Sequence, residues 1–213
     1  KFYLIGEKMK IRYLGHSSFL ICGNEKSVVT DPFDGIGYPM ERVFADYCTV
    51  SHDHFDHNNV GGVDCRKIIR ETTDGFLSID TYHDSSLGKL RGYNTVFKFS
   101  VDGVIFCHLG DIGEHLSDSL IDEIGKVDVL FIPVGGKYTI DGKEAADYVI
   151  NLHPKIVIPM HYKTNNLNID VDSVDKFLYA AGCPYENVGN EIELNKNDLP
   201  ASVKIYVMRA LYA

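Results

Sequence analysis

The sequence predicts an α/β protein in which β-sheets carry helices on their outer faces. Short strand-like segments fill the first half of the chain, whereas apolar strands and helices alternate in the second half. Strands followed by strand–helix units favour such a layered arrangement. A further observation points to function, because a histidine-rich run directly follows one of the predicted strands.

The first half is divided into strands by turn residues. Asp102-Gly103, for example, is a strong hairpin signal between two apolar segments. The predicted strands of this half are 10–14, 18–22, 27–30, 47–51, 67–71, 76–82, 95–100 and 104–108.

The second half has a different pattern. A serine cap predicts a helix over 117–124, and the continuous apolar run 127–134 is typical of a buried strand. Periodicity predicts a second helix over 143–152 and a third over 171–181 that ends at Gly182. The remaining predicted strands are 155–160, 191–194 and 204–211.

Length and composition indicate one domain over residues 1–213, with residues 1–8 as an N-terminal extension before Met9. The formal net charge of −9 argues against nucleic acid as the main partner, since phosphates need a Lys/Arg stripe. No apolar run approaches the ~18 residues of a membrane span. Five cysteines without a CxxC pair predict reduced thiols in the core of a cytoplasmic protein.

The run from Ser51 to His57 is the most informative stretch of the chain. It contains three imidazoles and two carboxylates, which are ligands for zinc, iron and manganese. In extended backbone His52 and His54 point the same way and can bind one ion. Asp56 and His57 lie around the following bend and can turn toward a second ion.

Three further candidate ligands each follow an apolar strand. His83 comes after 77–82, Asp111 after 104–110 and His161 after 156–160. A solvated strand end would explain any one of them alone. Their repetition beside the histidine run favours metal binding by the whole set.

These residues resemble the signature of the metallo-β-lactamase-fold hydrolases. His52, His54, Asp56 and His57 match HxHxDH, and His83, Gly110-Asp111 and His161 match the later motifs. The resemblance covers the chain from Met9 onward. The motifs at 14–17, 108–111, 133–136 and 159–162 look most like the small hydrolases related to L-ascorbate-6-phosphate lactonase.

The resemblance implies a four-layer αβ/βα sandwich with a site for two divalent ions at one edge. His52, His54 and His83 would hold the first ion and Asp56, His57 and His161 the second, with Asp111 bridging them. Two close ions need such a shared carboxylate, and they lower the pKa of a bridging water toward neutrality. The resulting hydroxide is the expected nucleophile, so no Ser or Cys nucleophile is needed. Zinc is favoured, but manganese or iron fits the same ligands.

Other polar residues leave alternatives open. His108 is a candidate proton carrier beside the catalytic carboxylates Asp56 and Asp111, or else a buried, hydrogen-bonded histidine. Asp53 is a candidate for orienting a ligand. The candidate substrate contacts, each of which could instead be a structural turn or a solvated side chain, are His16, Gly135, Gly136, Tyr138 and Lys163.

The favoured function is hydrolysis of a small, anionic ester, lactone or phosphodiester by a dinuclear metal centre. A metallo-nuclease is the alternative within the class, weakened by the acidic composition. A non-catalytic metal-binding module is the alternative from another class, although no ligand position is missing. His54 in place of a glutamate argues against oxygen-reducing chemistry. The sequence leaves open whether the protein forms a homo-oligomer.

Overall fold

The computed structural model of the chain describes residues 8–212. The predicted N-terminal extension therefore lies outside the described residues, apart from Lys8. Within this range the chain forms two mixed β-sheets and three α-helices, which confirms the predicted α/β sandwich. The elements in chain order are β1 (Met9–Gly15), β2 (Ser18–Cys22), β3 (Ser27–Thr30), β4 (Val43–Thr49), β5 (Val63–Ile69), β6 (Phe76–Tyr82), β7 (Tyr93–Val101), β8 (Val104–His108), α1 (Asp118–Ile124), β9 (Val129–Pro133), α2 (Gly142–Leu152), β10 (Ile156–Met160), α3 (Asp175–Ala181), β11 (Tyr185–Asn187), β12 (Glu191–Leu194) and β13 (Lys204–Val207).

Both sheets combine antiparallel and parallel pairs. The first has the strand order β12-β1-β2-β3-β4-β5, in which β3, β4 and β5 run parallel. The second has the order β11-β13-β10-β9-β8-β7-β6, in which the strands from β11 to β8 run parallel. Parallel neighbours end at the same edge, so loops that follow these strands meet there.

The strand and helix boundaries differ from the sequence prediction at several places. Helix α3 begins at Asp175 rather than at 171, because Val171 packs in a loop cluster with Phe33, Ile36 and Leu167. Strand β5 begins and ends earlier than 67–71, and β13 ends at Val207 rather than at 211. Strand β11 was not predicted, since its residues are all exposed and carry no apolar pattern.

An aromatic core lies between the two sheets. Phe19 of the first sheet contacts Phe131 of the second, with ring centroids 4.3 Å apart. Phe131 also stacks with Phe106 at 6.1 Å, and Tyr13 stacks on Phe19 at 4.7 Å. All four side chains are almost completely buried. This core joins the sheets behind the edge at which the strand-end loops meet.

The three described α-helices all pack on the outer face of the second sheet. Helix α1 begins at the predicted cap, where Ser117 Oγ accepts a hydrogen bond from the Leu120 amide. Helix α2 begins with a capping box between Asp141 and Glu144. With 11 residues α2 is the longest. None of the helices within residues 8–212 combines the length and apolarity that a membrane crossing needs.

The outer face of the first sheet is covered by loops. Leu20, Val29 and Cys48 pack there against side chains from the connections on either side of β4, including Met40 and Val60. Among the cysteines, Cys48 and Cys107 are buried and the other three are partly buried, and all five carry free thiols.

We predict that Phe131→Ala destabilises the protein strongly, because the substitution leaves a cavity in the aromatic core between the sheets. The free energy of unfolding should fall by about 3–5 kcal/mol. Urea denaturation followed by circular dichroism measures this loss. Tyr179→Ala is the control, since this side chain is 93% exposed, and its effect should stay within about 0.5 kcal/mol. Equal effects of the two substitutions would contradict this account of the core.

Candidate metal centre

The candidate metal centre lies at the edge where the strands of both sheets end. Each loop there begins within a few residues of a strand's last residue, so the rigid sheets fix where its side chains point. These strand-end residues are His16 after β1, Asp31 after β3, 51–57 after β4, His83 after β6, Asp111 after β8 and His161 after β10.

A tight turn divides the histidine run into two parts. The amides of His57 and Asn58 both donate to the His54 carbonyl, at 2.9 and 3.1 Å. The chain therefore reverses after His54, which brings the His57 ring back to 4.3 Å from the His52 ring, centroid to centroid. A bend at this place was predicted from the sequence.

The structure brings the predicted ligands together in two groups. In the first, the ligand nitrogens of His52, His54 and His83 lie within 4.8 Å of one another. In the second, the same limit holds for the ligand atoms of His16, Asp56, His57 and His161. Apart from His16, each group has the membership that the resemblance implies.

Asp111 lies between the two groups. Its Oδ2 atom is 3.4 Å from His83 Nε2 and 4.0 Å from His52 Nε2 in the first group. The same oxygen is 3.1 Å from His161 Nε2 and 3.2 Å from His57 Nε2 in the second. One carboxylate oxygen therefore contacts or approaches imidazoles of both groups.

Asp31 orients two of these imidazoles from behind. Its Oδ2 atom accepts a hydrogen bond from His57 Nδ1 at 2.9 Å and another from Ser51 Oγ at 2.5 Å. Ser51 Oγ in turn accepts from His52 Nδ1 at 2.9 Å. Because the remote nitrogens are engaged, the Nε2 atoms of His52 and His57 are left for a metal. Asp31 was not predicted from the sequence, although it follows a strand just as Asp111 does.

His83 is oriented in the same manner by another loop. Its Nδ1 atom donates to the backbone carbonyl of Tyr138 at 3.0 Å, which leaves Nε2 facing Asp111. Tyr138 was predicted as a substrate contact, and its backbone thus has a second role in holding a ligand. This hydrogen bond ties the loop after β9 to the first group.

A buried amide side chain fixes the Asp111 backbone. Asn94 Oδ1 accepts a hydrogen bond from the Asp111 amide at 2.8 Å, and Asn94 Nδ2 donates to the Leu109 carbonyl at 2.9 Å. Gly110 is required beside it, since its φ is +56° and an added Cβ would lie 2.3 Å from Asn94 Oδ1. Asn94 is the second residue of β7 and lies 17 residues before Asp111, so no local pattern identified it.

Charge at the site favours a cation at its centre. Burial lowers the pKa of His52 to about 3, so this imidazole is neutral, the form that binds metal. Burial alone would lower the pKa of His57, but Asp111 and Asp31 raise it well above its ordinary value. In the absence of metal, His57 is therefore protonated. Its positive charge then offsets part of the negative charge of Asp111 and Asp31.

The donor set fits divalent metal ions. His52 Nε2, His57 Nε2 and Asp111 Oδ1 are buried, and none of these atoms has a hydrogen-bond partner within the described residues. Buried polar atoms are rarely left without partners, because their desolvation is costly. Imidazole nitrogens and carboxylate oxygens that converge in this way are typical ligands of zinc, manganese and iron.

His16 contacts the second group through Asp56. Its Nε2 atom lies 3.2 Å from Asp56 Oδ2, and its ring centroid is 4.3 Å from that of His161. Burial, reinforced by His161, lowers the pKa of His16 to about 4. The His16 amide donates to Tyr38 Oη, and Tyr13 Oη donates to the His16 carbonyl. The structure thus brings His16 to the site, held on both sides of its backbone.

Both His16 and His161 have left-handed backbone conformations, with φ of 53° and 52°. The His161 amide also donates to the His16 carbonyl at 3.0 Å. This hydrogen bond joins a loop of the first sheet to a loop of the second. Positive φ at residues other than glycine is unfavourable and is concentrated at functional sites.

Four predicted site residues hold the surrounding backbone, and they neither line the cavity nor join a ligand group. His108 is buried, with Nε2 bonded to the Ser17 carbonyl and Nδ1 accepting from the Gly110 amide, which favours the structural alternative. Gly135 packs against the His161 backbone, and the Gly136 amide donates to the Ile140 carbonyl. The ammonium group of Lys163 is bonded to the carbonyls of Leu167 and Ile169, and therefore holds a loop.

An open cavity of about 750 Å³ lies above the two groups. It combines metal-ligand candidates on its floor with aromatic, apolar and charged side chains on its walls. Its lining residues are Asp53, His54, Phe55, Asp56, His83, Arg91, Asp111, Tyr138, His161, Asn168, Ile169 and Asp170.

Comparison with known proteins identifies the family. The sequence-family model for a β-lactamase superfamily domain matches residues 10–161 of the chain. The chain belongs to the metallo-β-lactamase superfamily. The matched range runs from β1 to His161 and so includes every strand-end residue of the site. The predicted membership of the superfamily is confirmed. The predicted relation to the small hydrolases similar to L-ascorbate-6-phosphate lactonase stays a prediction.

Relatives of the chain within the superfamily are named hydrolases. The chain is 32% identical to a UPF0173 metal-dependent hydrolase of Carboxydothermus hydrogenoformans, over 73% of this chain and 85% of that protein. It is also 30% identical to a UPF0173 metal-dependent hydrolase of Archaeoglobus fulgidus, over 88% of this chain and 100% of that protein. A crystal structure from Thermotoga maritima, assigned as a Zn-dependent hydrolase, has 38% identity and a TM-score of 0.77, covering 94% of this chain and 100% of that one. The protein is therefore a metal-dependent hydrolase.

Asp31→Asn should weaken metal binding, because the carboxylate that orients His57 is replaced by a neutral amide. We expect zinc affinity to fall by about 10–100-fold, measured by competition with a chromophoric chelator. Asp64→Asn provides the control, since Asp64 is an exposed residue paired with Arg42 far from the site. Unchanged zinc affinity in a folded Asp31→Asn protein would refute the orienting role.

Proposed function

We propose that the protein is a dinuclear metal-dependent hydrolase that acts on a small, anionic ester, lactone or phosphodiester. The observation that carries the proposal is the position of Asp111 Oδ2, which lies within 4.0 Å of imidazole nitrogens from both ligand groups. A carboxylate shared in this way is what two neighbouring cations need to offset their repulsion.

Each ligand group would hold one divalent ion, most readily zinc, with manganese or iron as alternatives. His52, His54 and His83 of the first group would hold one ion, and Asp56, His57 and His161 of the second group would hold the other. When bound, such ions supply Lewis acidity and lower the pKa of solvent water so that it can serve as a nucleophile at neutral pH. Asp111, which lies between the two groups, would serve both ions.

Asp56 is the carboxylate through which the protein would orient water beside a substrate. It lines the cavity, and its Oδ2 atom is fixed against His16 Nε2. Although burial alone would raise the pKa of Asp56, the His16 and His57 imidazoles hold it far below its ordinary value. Asp56 therefore stays ionised at neutral pH and can accept a hydrogen bond from water.

Two features favour a small molecule over a nucleic acid. The cavity volume of about 750 Å³ lies within the range of ligand pockets. Acidic residues, Asp53 and Asp170, lie at its wall, and the chain as a whole has a formal net charge of −9. A nucleic-acid backbone requires a basic stripe, whereas Arg91 is the one Lys or Arg among the described residues that line this cavity. The free thiols of all five cysteines support a cytoplasmic location.

Asp111→Ala should abolish turnover with the fold intact, because both ligand groups lose the carboxylate between them. We expect at least about a 100-fold loss of kcat/KM on chromogenic carboxyl and phosphodiester substrates, assayed after loading with zinc or manganese. Chelation should remove the wild-type activity, and metal should restore it. Circular dichroism checks the fold.

His153→Ala is the matched control for this experiment. His153 is an exposed histidine at the end of α2, and its Nδ1 atom contacts only the nearby Asn151 carbonyl among the hydrogen bonds of the described residues. Its activity should stay within about twofold of the wild type, as for other surface substitutions. Undiminished activity of Asp111→Ala at saturating metal would refute the dinuclear proposal.

A further inference from the structure

Charged side chains at the cavity wall differ in whether they have partners. Asp53 is paired with Arg70, whose Nη1 atom lies 2.7 Å from Asp53 Oδ1. Asp170 forms an ion pair with Lys137. Arg91 lines the same cavity, and no carboxylate of the described residues lies within 4.0 Å of its guanidinium. Arg91 is thus a cation at the cavity wall without an acidic partner in the part of the chain that the structure describes.

The loop that carries Arg91 is rigidly held. It follows the candidate ligand His83, and the buried Asp84 carboxylate accepts hydrogen bonds from several backbone amides of the loop. The His83 amide also donates to the Gly92 carbonyl, which closes the loop at its base. The amides bonded to Asp84 are those of Ser86, Gly88, Leu90 and Arg91. The backbone of Arg91 is therefore fixed relative to the first ligand group.

The Arg91 side chain is positioned as well. Its guanidinium carbon lies 5.3 Å from the centroid of the Tyr138 ring, a cation–π contact. The Tyr138 backbone carbonyl accepts from His83 Nδ1. A guanidinium stacked on an aromatic ring keeps its N–H groups at the edge, where they can bind a planar anion through two hydrogen bonds.

The cavity that Arg91 lines also has apolar side chains in its wall. Phe55 lines the cavity although 62% of its surface is exposed, and Ile169 lines it as well. Ligand pockets are lined largely by hydrophobic and aromatic side chains with a few placed polar groups. Metal-ligand candidates, apolar side chains and an unpaired guanidinium thus line one cavity.

We propose that Arg91 forms a carboxylate-binding subsite, so that the substrate is an acyl compound with a carboxylate remote from the bond that is cleaved. Phe55 and Ile169 contact the apolar segment that separates the two ends. The assignment of a cleaved bond rests on the proposed hydrolase function, whereas binding of the carboxylate at Arg91 does not.

A carboxylate fits this subsite better than a phosphate does. Arg91 supplies one positive charge, which a carboxylate neutralises. A phosphate monoester carries close to two negative charges at neutral pH. The second charge would have no cation to neutralise it at this wall, because Arg70 and Lys137 are already paired with Asp53 and Asp170.

Binding tests the subsite without any turnover. Isothermal titration of the zinc-loaded protein compares succinate, glutarate, adipate and pimelate with the monocarboxylates of equal chain length. We expect at least one dicarboxylate to bind about tenfold more tightly than its monocarboxylate, as for a charge-assisted hydrogen bond. Arg91→Ala should remove this advantage, and Arg91→Lys should keep part of it because the charge remains.

Lys89→Ala is the matched control, since Lys89 is an exposed cation of the same loop that does not line the cavity. It should leave the preference for dicarboxylates unchanged. If Arg91 only supported the Tyr138 ring, Arg91→Ala would weaken both acid series equally, and this result would overturn the subsite. A larger Arg91-dependent loss for phosphonocarboxylates than for dicarboxylates would overturn the choice of carboxylate.

Hydrolysis separates the subsite from the proposed function. The substrates are the mono-p-nitrophenyl ester of glutarate and the neutral p-nitrophenyl ester of valerate. Arg91→Ala should lower kcat/KM about tenfold for the first, mainly through KM, and less than about twofold for the second. Equal losses on both esters would reject the subsite while leaving the hydrolase intact. Arg91-dependent binding of a dicarboxylate by a protein that cleaves neither ester would instead count against the proposed function on carboxyl esters.

Discussion

A buried carboxylate surrounded by imidazoles is the constraint on which the rest of this structure depends. Asp111 is 2% exposed, and its Oδ1 atom has no hydrogen-bond partner among the described residues. An ionised carboxylate in such a place is costly unless cations lie beside it. The surrounding loops supply the imidazoles that lie beside this carboxylate. A metal ion bound at the same place would stabilise the folded state by mass action.

The aromatic core between the sheets provides the stability that this edge lacks. Phe19, Phe106 and Phe131 join the two sheets close to the strand ends, and their burial does not depend on metal. The outer elements have separate roles, since the helices cover only the second sheet and loops cover the first. The sheets therefore form a rigid scaffold, and the loops at the strand ends carry the candidate functional residues.

Most of the fold and of the ligand set could be predicted from sequence because their signals are local. The run from His52 to His57 and the apolar strands before His83, Asp111 and His161 are visible without coordinates. Contacts between distant segments are not visible in this way, and so Asn94 beneath Asp111 and Arg91 on Tyr138 were missed. The helix predicted from 171 failed at its start because the apolar side chain of Val171 packs against a loop.

The hydrogen bond from the His161 amide to the His16 carbonyl has a consequence for how the protein is made. It joins the first and second sheets at the second ligand group, across most of the length of the chain. Contacts between such distant residues form slowly, because a long loop must first close. During synthesis the group stays incomplete until His161 has left the ribosome and β10 has joined its sheet. A nascent or truncated chain therefore cannot capture metal in this group as the finished protein does, and full occupancy of the centre reports a completed fold.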